Sequence, residues 1–413
     1  MNGGYQNEAA LIQSITVFFG KGPLSNLLDI IGRIRRLLWR SFMSNEVPSR
    51  LPLRVLHVLN ELRASGAEVM LRSAADQWRE HGVESHILAV APAVGPLAQD
   101  LRAVGYRVAR LPDSPLQRVP FRLGRHVRAG GYDVVHLHAE RGNFWFALAA
   151  LSAGAAVVRT VHSVFQFHGP LRAERSVQRR MLSALGTVHV AVSASVTENE
   201  LRYFGNTSQV VENWYDSAFS PPSPQERARA RADLGLDERH LVAVSVGNCS
   251  SVKRHGMVLE AMAHPMSPAD LMYLHVGQED EAHSERCLAD QLGVVKRTCF
   301  LGLDHPLKAL HAADVFVMPS SHEGVGIAAI EALATGLPAV LADVPGLRDL
   351  ATAGPAVMLT EATPEAFARA LAVAGRDERI RGAPHALRDR FGMARGVAAY
   401  AAIYHGLRDG RRR

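Results

Sequence analysis

The sequence is poor in cysteine: Cys249, Cys287 and Cys299 are the only three among 413 residues, widely spaced and outside any Cys-x-x-Cys or Cys/His pattern. That excludes a disulfide-stapled scaffold and a structural zinc site, and it predicts a reducing, cytosolic compartment. No run reaches the roughly 18 to 20 apolar residues that a membrane-spanning helix requires. The nearest, Phe144 to Val158, is interrupted by Ser152 and Gly154 and reads as a helix, a turn and a strand. Aromatic residues make up only 6%, and no long basic run carries aromatics between its charges, so no nucleic-acid partner is expected. The charge excess is small, 46 Lys plus Arg against 40 Asp plus Glu, or +6 with the 19 histidines neutral. Such a bias suits anionic small molecules or an anionic membrane surface. An Asp-x-Asp pair, the usual carboxylate grip on a divalent cation, does not occur.

What is present is an ordinary globular composition, 47% apolar and 21% charged, which excludes disorder and fibre. The length favours two domains. Residues 1–50 form a basic extension with six cationic residues (Lys21, Arg33, Arg35, Arg36, Arg40, Arg50) against three acidic ones (Glu8, Asp29, Glu46). It does not read as a signal peptide, because the apolar stretch Ala9 to Phe19 precedes the positive charges. Within it Leu24, Leu27, Leu28, Ile31, Ile34 and Leu38 recur at helical spacing, with Asn26, Asp29, Arg33, Arg36 and Arg40 on the other face. Residues 20–42 therefore suit an anionic membrane surface, or equally a helix packed on its own domain.

From Arg54 onward strands and helices alternate, the signature of α/β domains with parallel sheets. Val55–Val58, Ser85–Val90, Arg107–Leu111, Val134–Leu137, Val157–Val161 and Val188–Val192 read as strands of a first domain over 51–217, with a helix from about Glu68 to His81. The proline-rich break Ser220 to Pro224 separates it from a second domain over 218–390. The strands there are Leu241–Val246, Met272–Val276, Cys299–Leu301, Val315–Met318 and Ala339–Ala342. A closing helix and basic tail occupy 391–413. Two Rossmann-like domains facing across a cleft, with an amphipathic N-terminal extension, is the expected architecture.

The most informative stretch is Val315 to Ala342: a strand, the loop PSSHEGVG, a helix IAAIEALAT, a turn at Gly336 and Pro338, and a second strand. Gly324 and Gly326 let backbone amides approach a ligand, and the helix that follows offers unpaired N–H groups to a pyrophosphate. Glu323 and Glu331 flank this loop at a spacing that resembles the Glu-x7-Glu motif of the retaining family 4 glycosyltransferases, which have GT-B architecture. The resemblance implies that Glu323 contacts the donor sugar, that Glu331 accepts from the nucleotide ribose, and that the amides around Gly324, Val325 and Gly326 hold the diphosphate. Val325 stands where the family often has phenylalanine.

Other segments carry the same resemblance. Ser65-Gly66-Ala67-Glu68 looks like the family's Gly-Gly-x-Glu loop, so Gly66 is expected at the donor phosphate. Thr160-Val161-His162 resembles its Thr-x-His segment, which places His162 beside the reacting sugar; His136 and His138 read as structural first. Gly247-Asn248 with Lys253 looks like Gly-Arg followed by lysine, with Asn248 where arginine is frequent. That leaves Lys253, and neighbouring Arg254, to offset charge on the leaving diphosphate. Val211 to Asp216 resembles the interdomain hinge, with Trp214 in place of glycine. The resemblance covers about residues 52–408 and implies a metal-independent enzyme without a cofactor. It would transfer a hexose from a nucleotide-sugar donor to a glycan or lipid-linked acceptor, in the cytoplasm or at the inner face of the membrane. Two other readings stay open. Gly324-Val-Gly326-Ile-Ala-Ala329 with Asp343 also fits a dinucleotide fingerprint and hence an NAD-dependent oxidoreductase, and Asn248 with Trp214 leaves room for a catalytically weak sugar-nucleotide-binding partner protein.

Overall fold

Short runs of valine, leucine and isoleucine bounded by glycine and polar turns form two separate parallel sheets in the computed structural model, which describes residues 52–63, 65–111, 118–376 and 385–412. The basic extension and its membrane-surface reading lie outside the described residues. The first sheet contains β1 (Leu53–Leu59), β2 (Val83–Ala89), β3 (Arg107–Arg110), β4 (Val134–Leu137), β5 (Ala156–Val161), β6 (Val188–Ala191) and β7 (Gln209–Val210), in the order β3-β2-β1-β4-β5-β6-β7. The second contains β8 (Leu241–Val246), β9 (Leu271–Val276), β10 (Thr298–Phe300), β11 (Val315–Met318), β12 (Ala339–Ala342) and β13 (Val357–Thr360), in the order β10-β9-β8-β11-β12-β13. Central strands such as β4, β5, β11 and β12 are buried along their whole length, as continuous apolar runs covered by helices on both faces must be. In each sheet the strand order reverses once, between β1 and β4 and between β8 and β11. A crevice opens at such a switch point.

Five helices frame the cleft and are labelled α1 (Gly66–Ser73), α2 (Ala75–Glu80), α3 (Ala194–Phe204), α4 (Ile327–Ala334) and α5 (Met393–Arg412). The single helix expected from Glu68 to His81 is broken at Ala74 into α1 and α2. The Met70 carbonyl, which Ala74 N–H reaches at 3.2 Å, also accepts from the Ser73 hydroxyl at 2.9 Å and the Trp214 indole at 3.2 Å. Competition for that oxygen loosens the helical bond. Trp214 is buried, and Gly396 of α5 makes room for it: a Cβ there would lie 2.3 Å from the indole. α5 returns from the second domain to the first, burying Val397, Tyr400, Ala401 and Tyr404 in one cluster with Leu53, Val134 and Val158. The chain thus crosses between the domains twice.

β5 is anchored by a buried ion network. Arg159 bonds Glu140 at 2.6 Å and Glu200 at 3.2 Å, and Arg179 bonds the same two carboxylates at 2.9 and 3.0 Å. Both arginines neutralise charge that would otherwise be stranded in the core. The two domains are also tied directly. Asp349 accepts from Ser195 at the start of α3, through the backbone N–H and the hydroxyl, both at 3.0 Å. Arg390 donates to Glu212 at 2.6 Å and to the Asp349 carbonyl at 3.0 Å.

Candidate active site

The carboxyl ends of β1, β4 and β5 face those of β8 and β11 across a cavity of about 500 Å³. α1 brings its N-terminus to the cavity wall at Gly66. No side chain caps this helix, because the Ser65 hydroxyl donates to the Glu68 carboxylate instead. Burial pushes the Glu68 carboxyl up to about 6, with the Ser65 bond opposing.

Opposite it, the loop after β11 turns into α4 at Gly326, whose φ of 74° is a left-handed conformation that glycine adopts freely. α4 has no side-chain cap either. The two helix starts almost touch: a Cβ on Gly66 would lie 2.7 Å from Ile327 Cδ1. Two sets of first-turn N–H groups, each at a positive dipole end, therefore converge on one cavity. Gly324 is the second close approach, where an added Cβ would lie 2.1 Å from the His162 carbonyl oxygen. Ser193 donates to the Gly324 carbonyl at 2.8 Å and fixes that contact.

The charged side chains follow from this frame. Lys253 Nζ donates to Glu323 Oε1 at 2.6 Å, a pair in the cavity wall. Glu331, the fifth residue of α4, is buried. Burial pushes its carboxyl up to about 8, the negative charge of Asp216 adds to this, and Arg72 opposes it. The protonated form is thus favoured in the folded state, and its contribution to stability is complete below the ordinary value of 4.5 and is lost as pH rises through about 8. Glu331→Gln should therefore lose less stability than the parent between pH 5 and 8. The difference in slope approaches about 1.4 kcal/mol per pH unit, measured by urea unfolding. Parallel curves for the two proteins would contradict it. His162 behaves oppositely: burial holds its imidazole down at about 4, with the Arg159 charge lowering it further and Glu140 opposing, so the ring is neutral.

Of the residues singled out from sequence, Gly66, His162, Gly247, Asn248, Lys253, Glu323, Gly324, Val325, Gly326 and Glu331 all line this cavity. Arg254 does not. Its backbone takes a φ of 51° and its Nε donates to the Pro319 carbonyl at 2.8 Å, so it braces the loop before Glu323 rather than facing a diphosphate. Asn248 lines the cavity, yet its side-chain oxygen accepts from Gln278 N–H at 2.9 Å, which fastens the loop after β8 to the loop after β9. Asn60, His138, Asn213 and Ser250 also form the wall. Asn213 Oδ1 is buried without a protein partner. It sits in the hinge segment that the sequence did mark, but nothing there distinguished it from its neighbours.

Solved structures with the same fold include Anabaena Alr3699/HepE in complex with UDP and glucose, at a TM-score of 0.74 and 19% identity over 86% of this chain and all of that one. WaaG, a glycosyltransferase involved in lipopolysaccharide biosynthesis, gives 0.62 and 15% over 86% and 98%. Residues 64–219 match the family model "Glycosyltransferase Family 4" and residues 226–392 the model "Glycosyl transferases group 1". The D-inositol 3-phosphate glycosyltransferase of Rhodococcus opacus (strain B4) is 30% identical over 327 residues, 69% of this chain and 72% of that protein. The chain is a GT-B glycosyltransferase.

For a GT-B glycosyltransferase the cavity has a direct chemical sense. Loss of a nucleoside diphosphate from a sugar develops negative charge on phosphate, and two helix N-termini and a lysine line this cavity. The competing readings find no support. Asp343, the acidic residue a dinucleotide ribose would need, has its carboxylate held by Arg348 and is absent from the cavity wall. WaaG and the Rhodococcus opacus protein are both named as glycosyltransferases.

Proposed function

We propose that this glycosyltransferase is a retaining, metal-independent family 4 enzyme that moves a hexosyl group from a UDP-sugar to a hydroxyl of a glycan or lipid-linked acceptor, in polysaccharide or glycolipid assembly. One observation carries the reading: the uncapped starts of α1 and α4, Lys253 and the buried carboxyl of Glu331 share one cavity. The choice of base draws on Alr3699/HepE, solved with UDP and with UDP-glucose, and on pneumococcal GtfA, solved with UDP and GlcNAc.

On donor binding Lys253 leaves Glu323 for the diphosphate, and the amides at Gly66 and at Gly324 to Gly326 take the remaining phosphate oxygens. Glu323, released, accepts from the sugar hydroxyls, while Glu331 accepts from the ribose and gives up its proton to solvent. The acceptor hydroxyl then attacks the anomeric carbon from the face that the phosphate leaves, and its proton passes to the departing phosphate oxygen. Configuration is retained without a covalent sugar intermediate.

The test is thermal unfolding with UDP, GDP, ADP and NAD at equal concentration in EDTA, on the parent and Glu331→Ala. A ligand at 100 times its dissociation constant adds about 2.7 kcal/mol. UDP should stabilise the parent and lose most of that effect in the variant. Stabilisation by NAD alone, or by no nucleotide, would overturn the reading.

A further inference from the structure

Behind the cavity, a cluster of histidines is set into the otherwise apolar core of the first sheet. β1, β4 and β5 are adjacent, and His57 pairs in register with His136. Alternate residues of a strand share a face, so His136 with His138 and Thr160 with His162 extend the same layer as His57. Tyr400 and Tyr404, one turn apart on α5, cover it. Tyr404 OH lies 2.6 Å from His136 Nδ1, Thr160 Oγ1 lies 2.7 Å from its Nε2, and Tyr400 OH lies 2.9 Å from Thr160 Oγ1. The ring of His138 is held 4.0 Å from that of His136.

The other imidazoles form a chain. His138 Nδ1 is 3.0 Å from His162 Nε2, His57 Nδ1 is 3.1 Å from His138 Nε2, and His57 Nε2 is 3.4 Å from Ser85 Oγ. His162 reaches the cavity wall, whereas His57 is fully buried and does not. A neutral imidazole has one N–H and one lone pair. Where every ring uses both nitrogens, all the N–H groups must point the same way along the chain. The hydrogen-bond choice made at His57 is therefore imposed on His162. If the N–H groups run outward, His162 Nδ1 carries the proton and donates to a ligand; if they run inward, Nδ1 accepts.

We propose that His57 and His138 are positioning residues that fix the tautomer of His162, and so decide whether it donates to or accepts from the donor sugar. This deepens the donor-site reading above and rests on it. Burial holds His57 at about 3 and His138 well below the ordinary histidine range, so both stay neutral, as the chain requires. A metal cage is the competing use of these rings, since nitrogens of His57, His136 and His138 lie within 4.8 Å of one another. Against it, both nitrogens of His136 are already engaged, and the adjoining cavity of about 10 Å³ admits a water at most.

The experiment is nitrogen NMR of the full chain labelled with ¹⁵N-histidine, without ligand, followed by titration with UDP-glucose and with UDP. In the parent, His162 should show one protonated and one bare nitrogen. In His57→Phe its two shifts should move toward each other as tautomers mix. UDP-glucose should then bind about three- to tenfold more weakly, with UDP unaffected. Ser85→Ala provides the same comparison if His57→Phe does not fold. Unchanged His162 shifts, shifts that change with no loss of UDP-glucose affinity, or one bound metal per chain would overturn the proposal. The shifts are read without ligand, so a failure of UDP-glucose to bind the parent would instead count against the donor-site reading.

Discussion

Lys253→Ala is expected to lower turnover with UDP-glucose by about 10²- to 10³-fold, the range found when one preorganised donor is removed from developing negative charge. The reason lies in the cavity's inventory. Arg254 is directed to the Pro319 carbonyl and Asn248 to Gln278, so Lys253 is the cation that the loop after β8 contributes to the cavity wall. The same change leaves Glu323, whose side chain is 13% exposed, without its partner at 2.6 Å. Some loss of stability should accompany the loss of rate, and Lys253→Arg should recover part of both. Turnover within tenfold of the parent would show that the helix termini alone carry the leaving group.

The second large effect is expected from Gly324→Ala. A methyl group at this position would meet the His162 carbonyl oxygen at 2.1 Å and Val192 Cγ2 at 2.9 Å. Ordinary contact begins near 3.4 Å, so the two domains must part by more than 1 Å at the point where Ser193 ties them. Displacement of that size between the Glu323 loop and His162 should cost about 10²-fold in turnover. Gly406→Ala is the matched control, because nothing lies within 4 Å of its Cβ and it sits in α5. It should leave turnover unchanged and raise stability by up to about 1 kcal/mol. Equal activities of the two variants would contradict the close-approach argument.

These cases show what can be read from the chain and what cannot. The segment from Val315 to Ala342 was legible because each signal in it is local: an apolar strand, two loop glycines, a helix, and Gly336 with Pro338 to end it. The two sheets were legible for the same reason, apart from the short edge strands β7, which is exposed, and β13, which is half-buried. The break at Ala74 depends on Trp214, a partner some 140 residues away, and no helical periodicity reports it. His162 was placed by resemblance. Its contact with Gly324, and the chain from His57 through His138, depend on strand register and on how the domains meet. Arg254 was expected beside Lys253, but adjacency in sequence says nothing about side-chain direction, and its Nε bonds the Pro319 carbonyl outside the cavity wall.

The central claim is that the cavity binds a nucleotide sugar through Glu331 and without a metal. Titration calorimetry of UDP-glucose in EDTA at pH 7, repeated in buffers of different ionisation enthalpy, tests it most directly. The account predicts one site per chain, release of a proton as Glu331 ionises, and about tenfold or greater weakening without proton release in Glu331→Gln. Equal affinity in the two proteins, or no binding until a divalent cation is restored, would contradict it.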